Sequence, residues 1–108
     1  MAKYLFQATY TSEAWAAQVR NPQSRVEVWR AAIERLGGRI ECVYYAFGEY
    51  DIVGIVETPD NVSMAAMALA VAAGGAGKAI KTTPLMTIEE GIEAMRKASG
   101  TGYRPPGS

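Results

Sequence analysis

Arg39–Glu57, RIECVYYAFGEYDIVGIVE, is the stretch on which the fold turns. Two runs rich in β-branched and aromatic residues flank Gly48-Glu49-Tyr50-Asp51, the pattern of a β-hairpin. Gly48–Glu49 predicts a two-residue type II′ turn, because glycine in the first turn position takes a positive φ without strain. On that register Phe47 faces Tyr50, Tyr45 faces Ile52 and Val43 faces Gly54, all on one side of the ribbon. The other side carries Ile40, Cys42, Tyr44 and Ala46 against Asp51, Val53 and Ile55. A longer turn would shift the register and leave both sides apolar. A sheet that meets water on one face alternates apolar with polar residues, so two apolar sides require that both be covered.

Upstream, Lys3–Tyr10 alternates as a strand, and Thr11–Ser12 offers an N-cap for a helix beginning near Glu13. Asn21–Pro22 interrupts that helix. It resumes over Ser24–Leu36, where Val26, Trp29, Ile33 and Leu36 recur at helical spacing and Ser24 with Glu27 has the form of a capping box. Gly37–Gly38 ends it. Trp15 and Trp29 are expected in the core.

Downstream, Asp60 is expected to cap a helix over Asn61–Ala73, a segment with no charged residue on any side. A helix apolar all round is expected to be buried all round, and one sheet covers only one side of it. Another subunit is the expected cover, with the C-terminal helix or tail as the alternative. Gly74–Gly75–Ala76–Gly77 closes a helix and leads into a strand, the reverse of the order a phosphate-binding loop needs. Lys78–Met86 is the last expected strand, with Pro84 suggesting an edge position or a bulge. Thr87 is expected to cap a final helix over Ile88–Ala98, acidic in its first turn and basic in its last. The chain thus divides into one domain, residues 1–99, and a flexible tail, residues 100–108.

Strand, helix, strand, strand, helix, strand is the order of the ferredoxin-like α+β sandwich, βαββαβ with an added C-terminal helix and a four-stranded antiparallel sheet. Ile52–Val56 should lie centrally beside Lys3–Tyr10. Helices on one face would leave the other apolar face wet, at about 25 cal/mol per Å² of apolar surface. Pairing two such faces about a twofold axis gives a dimeric α+β barrel. A homodimer or higher oligomer is therefore expected.

Composition narrows the chemistry. Lys+Arg 11 balance Asp+Glu 11, without the basic excess of a nucleic-acid binder. The sequence has no histidine and one cysteine, Cys42, expected as a buried thiol. Histidine-dependent catalysis and the common zinc sites are thereby excluded, and neither metal nor cofactor is expected. Met1–Tyr10 lacks the apolar core of a signal peptide, and Asn61–Gly77 is too short for a good membrane span, so a cytoplasmic protein is expected.

Gly48-Glu49-Tyr50-Asp51 running into Ile52-Val53 resembles the signature of the GYD-domain family of small bacterial proteins. The likeness extends through Tyr4-Leu5-Phe6, Phe47-Gly48, Pro59-Asp60-Asn61 and Lys81-Thr82-Thr83, and leaves out the tail from Gly100. It implies a ferredoxin-like chain of the dimeric α+β barrel type with a largely undefined biochemical role. The same Gly-x-Tyr-Asp hairpin is also similar to that of ligand-sensing domains in amino-acid-responsive regulators.

Polar residues from neighbouring strands and the hairpin tip make the candidate ligand site: Gln7, Thr9, Tyr45, Tyr50, Asp51 and Lys81. Asp51 could bind backbone N–H groups or act as a base, Tyr50 could pack or donate a proton, and Lys81 could meet an anion or guard an edge strand. Three functions compete. The favoured one is a homo-oligomeric small-molecule binding or sensing module, because no spaced acid/base pair is evident. The others are a cofactor-independent isomerase or monooxygenase and a structural assembly subunit.

Overall fold

The computed structural model describes residues 1–107; of the expected tail, Ser108 lies outside them. The elements run β1 (Ala2–Tyr10), α1 (Ser12–Arg20), α2 (Val26–Arg35), β2 (Arg39–Tyr45), β3 (Ile52–Thr58), α3 (Asn61–Ala73), β4 (Gly77–Leu85) and α4 (Ile88–Ser99). The strands form one antiparallel sheet in the order β2-β3-β1-β4. The fold is the expected ferredoxin-like α+β sandwich, with β3 and β1 central and the proline-bearing β4 at an edge.

Local chemistry accounts for most boundaries. Thr11 accepts from the Ala14 amide at 3.1 Å, and Asp60 accepts from the Ser63 amide at 2.8 Å. Thr87 and Glu90 form a full capping box at the start of α4. Gly37, at φ 81°, supplies the left-handed residue that closes α2. The capping box expected at Ser24 and Glu27 does not form. Helix α2 starts at Val26 instead, and the Ser24 hydroxyl turns back to the Val26 amide at 3.3 Å.

The hairpin keeps the expected pairs Tyr45↔Ile52 and Val43↔Gly54 but not the expected turn. Gly48 has no positive φ, and the last backbone bond runs from the Ala46 amide to the Asp51 carbonyl at 2.8 Å. Phe47 therefore swings out into solvent rather than facing Tyr50. A second departure lies at the other end, where the register slips between Ile40 and Cys42. An extra residue in one strand reverses which face the residues beyond it occupy. Ile40 thereby joins the core opposite Val56, while Glu41 pairs with Lys3 at 3.2 Å.

Helices cover one sheet face. Tyr4, Ile33, Val56, Met64 and Met67 form the core beneath them, and the Tyr4 hydroxyl donates to the Asn61 side chain. The opposite face presents Leu5, Val53, Ile55 and Leu85, all half-buried, with Cys42 half-buried among them rather than enclosed and Tyr44 exposed. Helix α3 is not buried all round in the single chain. Met64 and Met67 face the sheet, whereas Val62 is 78 % and Leu69 68 % exposed. Neither α4 nor residues 100–107 cover that side. Helix α4 itself buries no residue and leaves Ile88, Ile92 and Met95 exposed. The radius of gyration, 17.5 Å, reflects the projecting helix; a compact chain of this length would have about 13 Å.

Gly38 makes a contact that no other residue type allows. A Cβ there would collide with the Glu57 carbonyl oxygen. Gly38→Ala is expected to lower stability by about 1–3 kcal/mol, read as a reduced urea midpoint with an unchanged slope.

Candidate functional site

Asp51 joins three parts of the chain. Its backbone N–H donates to the Ala8 carbonyl at 2.9 Å, placing the end of the hairpin loop against β1. One carboxylate oxygen, Oδ2, accepts from the Tyr10 amide at 2.9 Å and from the Trp15 indole Nε1 at 3.1 Å. The expectation that a short carboxylate here binds backbone N–H groups describes its first bond. The indole bond, across 36 positions, came with no sequence signal.

Around that bond lies an aromatic cluster. Tyr10 meets Trp15 edge-on, with centroids 5.2 Å apart and planes at 74°. Tyr45 lies 6.1 Å from Trp15, and its hydroxyl donates to Gln18 Oε1 at 3.1 Å. The Gln18 amide nitrogen in turn donates to the Ala14 carbonyl at 3.3 Å. Burial of the Tyr10 phenol, with Tyr45 and the Asp51 carboxylate beside it, pushes its pKa up to about 12, although Arg25 acts the other way.

This cluster stands at the end of a recess of about 520 Å³ between the covered sheet face and helices α1, α2 and α3. Phe6, Tyr10, Ala17, Trp29 and Val71 line it over the buried core, and Arg25 is the one charged residue on it among those described. A neighbouring groove of about 600 Å³ runs between α1, the α1–α2 connection and the end of β2, where Trp15, Val19, Pro22 and Tyr45 line it. Gln18, Arg25, Trp29, Val43 and Ile52 line both. Size and apolar character match small-molecule sites.

The six residues expected to share a site divide between the two sheet faces. Tyr45 and Asp51 belong to the cluster beside α1. Gln7 and Lys81 are cross-strand partners on the uncovered face, and Thr9 lies two residues along, its hydroxyl accepting from the Ala79 amide at 3.0 Å. Tyr50 is half-buried in the loop between β2 and β3. Tyr10, Gln18 and Arg25 were not foreseen as site residues, and Trp15 was expected in the core; they come together only through tertiary packing. Among the described residues no three His, Cys, Asp or Glu side chains converge as metal ligands, and no helix is long and apolar enough to cross a membrane.

Comparison with known proteins agrees with the hairpin signature. The profile of the GYD domain matches residues 4–95. No curated protein matches the chain. Among solved structures, FFRP-DM1 superposes with a TM-score of 0.50 at 13 % identity, over 80 % of this chain and 100 % of that one. MtbAldR superposes with a TM-score of 0.56 at 16 % identity, over 80 % of this chain and 52 % of that one, so the chain spans about half its length. At these identities the likeness is one of fold.

Two tests follow from the cluster. Asp51→Ala leaves the Tyr10 amide and Trp15 indole without their acceptor and is expected to cost about 1–3 kcal/mol in urea unfolding. The raised Tyr10 pKa has a defined sign. The unfolded phenol ionises near 10 and the folded one near 12, so its stabilising contribution is complete below pH 10 and is lost as pH rises towards 12. Absorbance of tyrosinate against pH should show a late-titrating component that is absent in Tyr10→Phe.

Proposed function

The chain belongs to the GYD-domain family, and from that premise we propose that it is a homo-oligomeric small-molecule binding or sensing module. The observation that carries the reading is the recess of about 520 Å³ between sheet and helices, apolar except for a few polar side chains gathered at one end. Pockets of this size and composition hold a ligand by burying its apolar body and fix its orientation with few polar contacts. Asp51, the carboxylate a proton-transfer reaction would call on, is already bonded to Tyr10 and Trp15. That arrangement favours binding over turnover. The likeness of the hairpin to ligand-sensing domains points the same way.

Self-association is the second half of the proposal. Leu5, Val53, Ile55 and Leu85 lie on a sheet face without helices, and a second sheet placed against them would complete a dimeric α+β barrel. Gln7, Thr9 and Lys81 would then line the space between two subunits rather than the recess within one. The outer side of α3, with Val62 and Leu69 exposed, and the projecting α4 would supply a further contact with another subunit.

Native mass spectrometry of freshly purified protein tests both halves together. A dimer or larger assembly that retains a small molecule is expected, whereas a bare monomer would overturn the reading. Ile55→Arg, which places a charge on the uncovered face, is expected to shift the mass from light scattering to that of one chain.

A further inference from the structure

We infer that the recess selects a monoanionic carboxylate with an apolar body, and that Arg25 is the residue that holds its carboxylate. The inference rests on the reading of the recess as a ligand site and adds the ligand's chemical class. Its basis is the electrostatic inventory at the place where recess and groove meet. Arg25 lines both, and the remainder of the recess wall brings no other charged residue among those described. The other arginines with a nearby acid are already engaged: Arg30 with Glu27, Arg39 with Glu57 and Arg96 with Glu93. Arg25 forms no ion pair and no side-chain hydrogen bond among the described residues. The Asp51 carboxylate keeps its charge but makes no ion pair with Arg25 and is not among the residues that line the recess or the groove; its Oδ2 accepts from the Tyr10 amide and the Trp15 indole.

The remaining polar groups fit the same class. Tyr10 stays a neutral phenol through the physiological range, since its pKa lies at about 12, and so can donate a hydrogen bond but adds no charge. Gln18 has both ends occupied, its oxygen by the Tyr45 hydroxyl and its nitrogen by the Ala14 carbonyl. One fixed cation is balanced by one anion, and the planar guanidinium fork matches a carboxylate in two parallel hydrogen bonds. Beyond the fork, Phe6, Val28, Trp29 and Val71 provide apolar surface. An aliphatic or aromatic chain would lie there with its water shed, and a second charge on the ligand would have no partner.

The sequence's only two tryptophans, Trp15 and Trp29, line these recesses, so their fluorescence reports occupancy without a label. Octanoate and 1-octanol, equal in chain length and different in charge, are the probes. Octanoate is expected to perturb the emission with a dissociation constant about tenfold or more below that of octanol, the size of one charge-assisted hydrogen bond. Arg25→Gln should erase the difference and leave octanol binding in place, while Arg25→Lys should retain part of it. Arg25 is exposed and unbonded, so both variants should keep the wild-type melting temperature. Equal binding of the two probes by the wild-type protein, or an undiminished preference in Arg25→Gln, overturns the assignment of Arg25 and leaves the ligand site standing. No response to either probe overturns both.

Discussion

A four-stranded sheet with apolar side chains on both faces and helices enough for one is the constraint on which the molecule is built. Tyr4, Ala8, Ile52 and Val56 are buried beneath α2 and α3, and on the opposite side Leu5, Val53, Ile55 and Leu85 make an apolar strip bordered by Lys3, Gln7, Thr9, Glu57 and Lys81. In a chain of 108 residues the ratio of surface to volume leaves little with which to cover that second face. Helix α4 could have served and instead projects from the body, capped at its start and amphipathic, with its apolar positions uncovered. The uncharged outer side of α3 adds to the same excess. Burial is non-directional, so these surfaces say that something must cover them, while the sheet's shape says that a second sheet would fit.

Within the covered half, the Asp51 carboxylate does more than end a loop. Its bonds to the Tyr10 amide and the Trp15 indole hold α1 against the end of β1, at the place where the loop from β2 returns. Trp15 is thereby fixed between Tyr10 and Tyr45, and Tyr45 is fixed to Gln18. The result is an aromatic wall along the groove that adjoins the apolar recess. Two N–H donors lower the cost of keeping a charged group there, and its charge is felt by the neighbouring Tyr10 phenol. Arg25, on the connection that follows α1, is left as the charge that faces the opening.

Much of the fold was legible because it depends on local chemistry. Thr11, Asp60 and Thr87 cap their helices as their side chains allow, and Gly37 takes the positive φ that ends α2. The continuously apolar run of Ile52–Val56 placed β3 at the centre, and of the edge or bulge that Pro84 suggested the structure shows the edge. Gly48 misled because glycine permits a positive φ without demanding one; the wider loop is set by where Asp51 must bond, which is a tertiary matter. The extra residue near Glu41 was invisible for a related reason. Nothing in its neighbours' types announces a slip that moves Ile40 into the core. Among the candidate site residues, spacing could collect polar side chains from adjacent strands but could not tell which sheet face each would take once the helices had chosen one.

The sequence by itself determined the ferredoxin-like order of elements, the family, the neutral and histidine-free chemistry, and the excess of apolar surface. These follow from residue types and their periodicity, which act over a few positions along the chain. Only the tertiary structure decided that Asp51 binds Trp15, that Gln7 and Lys81 lie on the face opposite Tyr45 and Asp51, and that Arg25 stands at the recess without an ion pair among the described residues. Each of these depends on which helix packs on which face and how far the strands slide past one another. Such choices are settled by the fit of many side chains at once, and no short stretch of sequence carries that information.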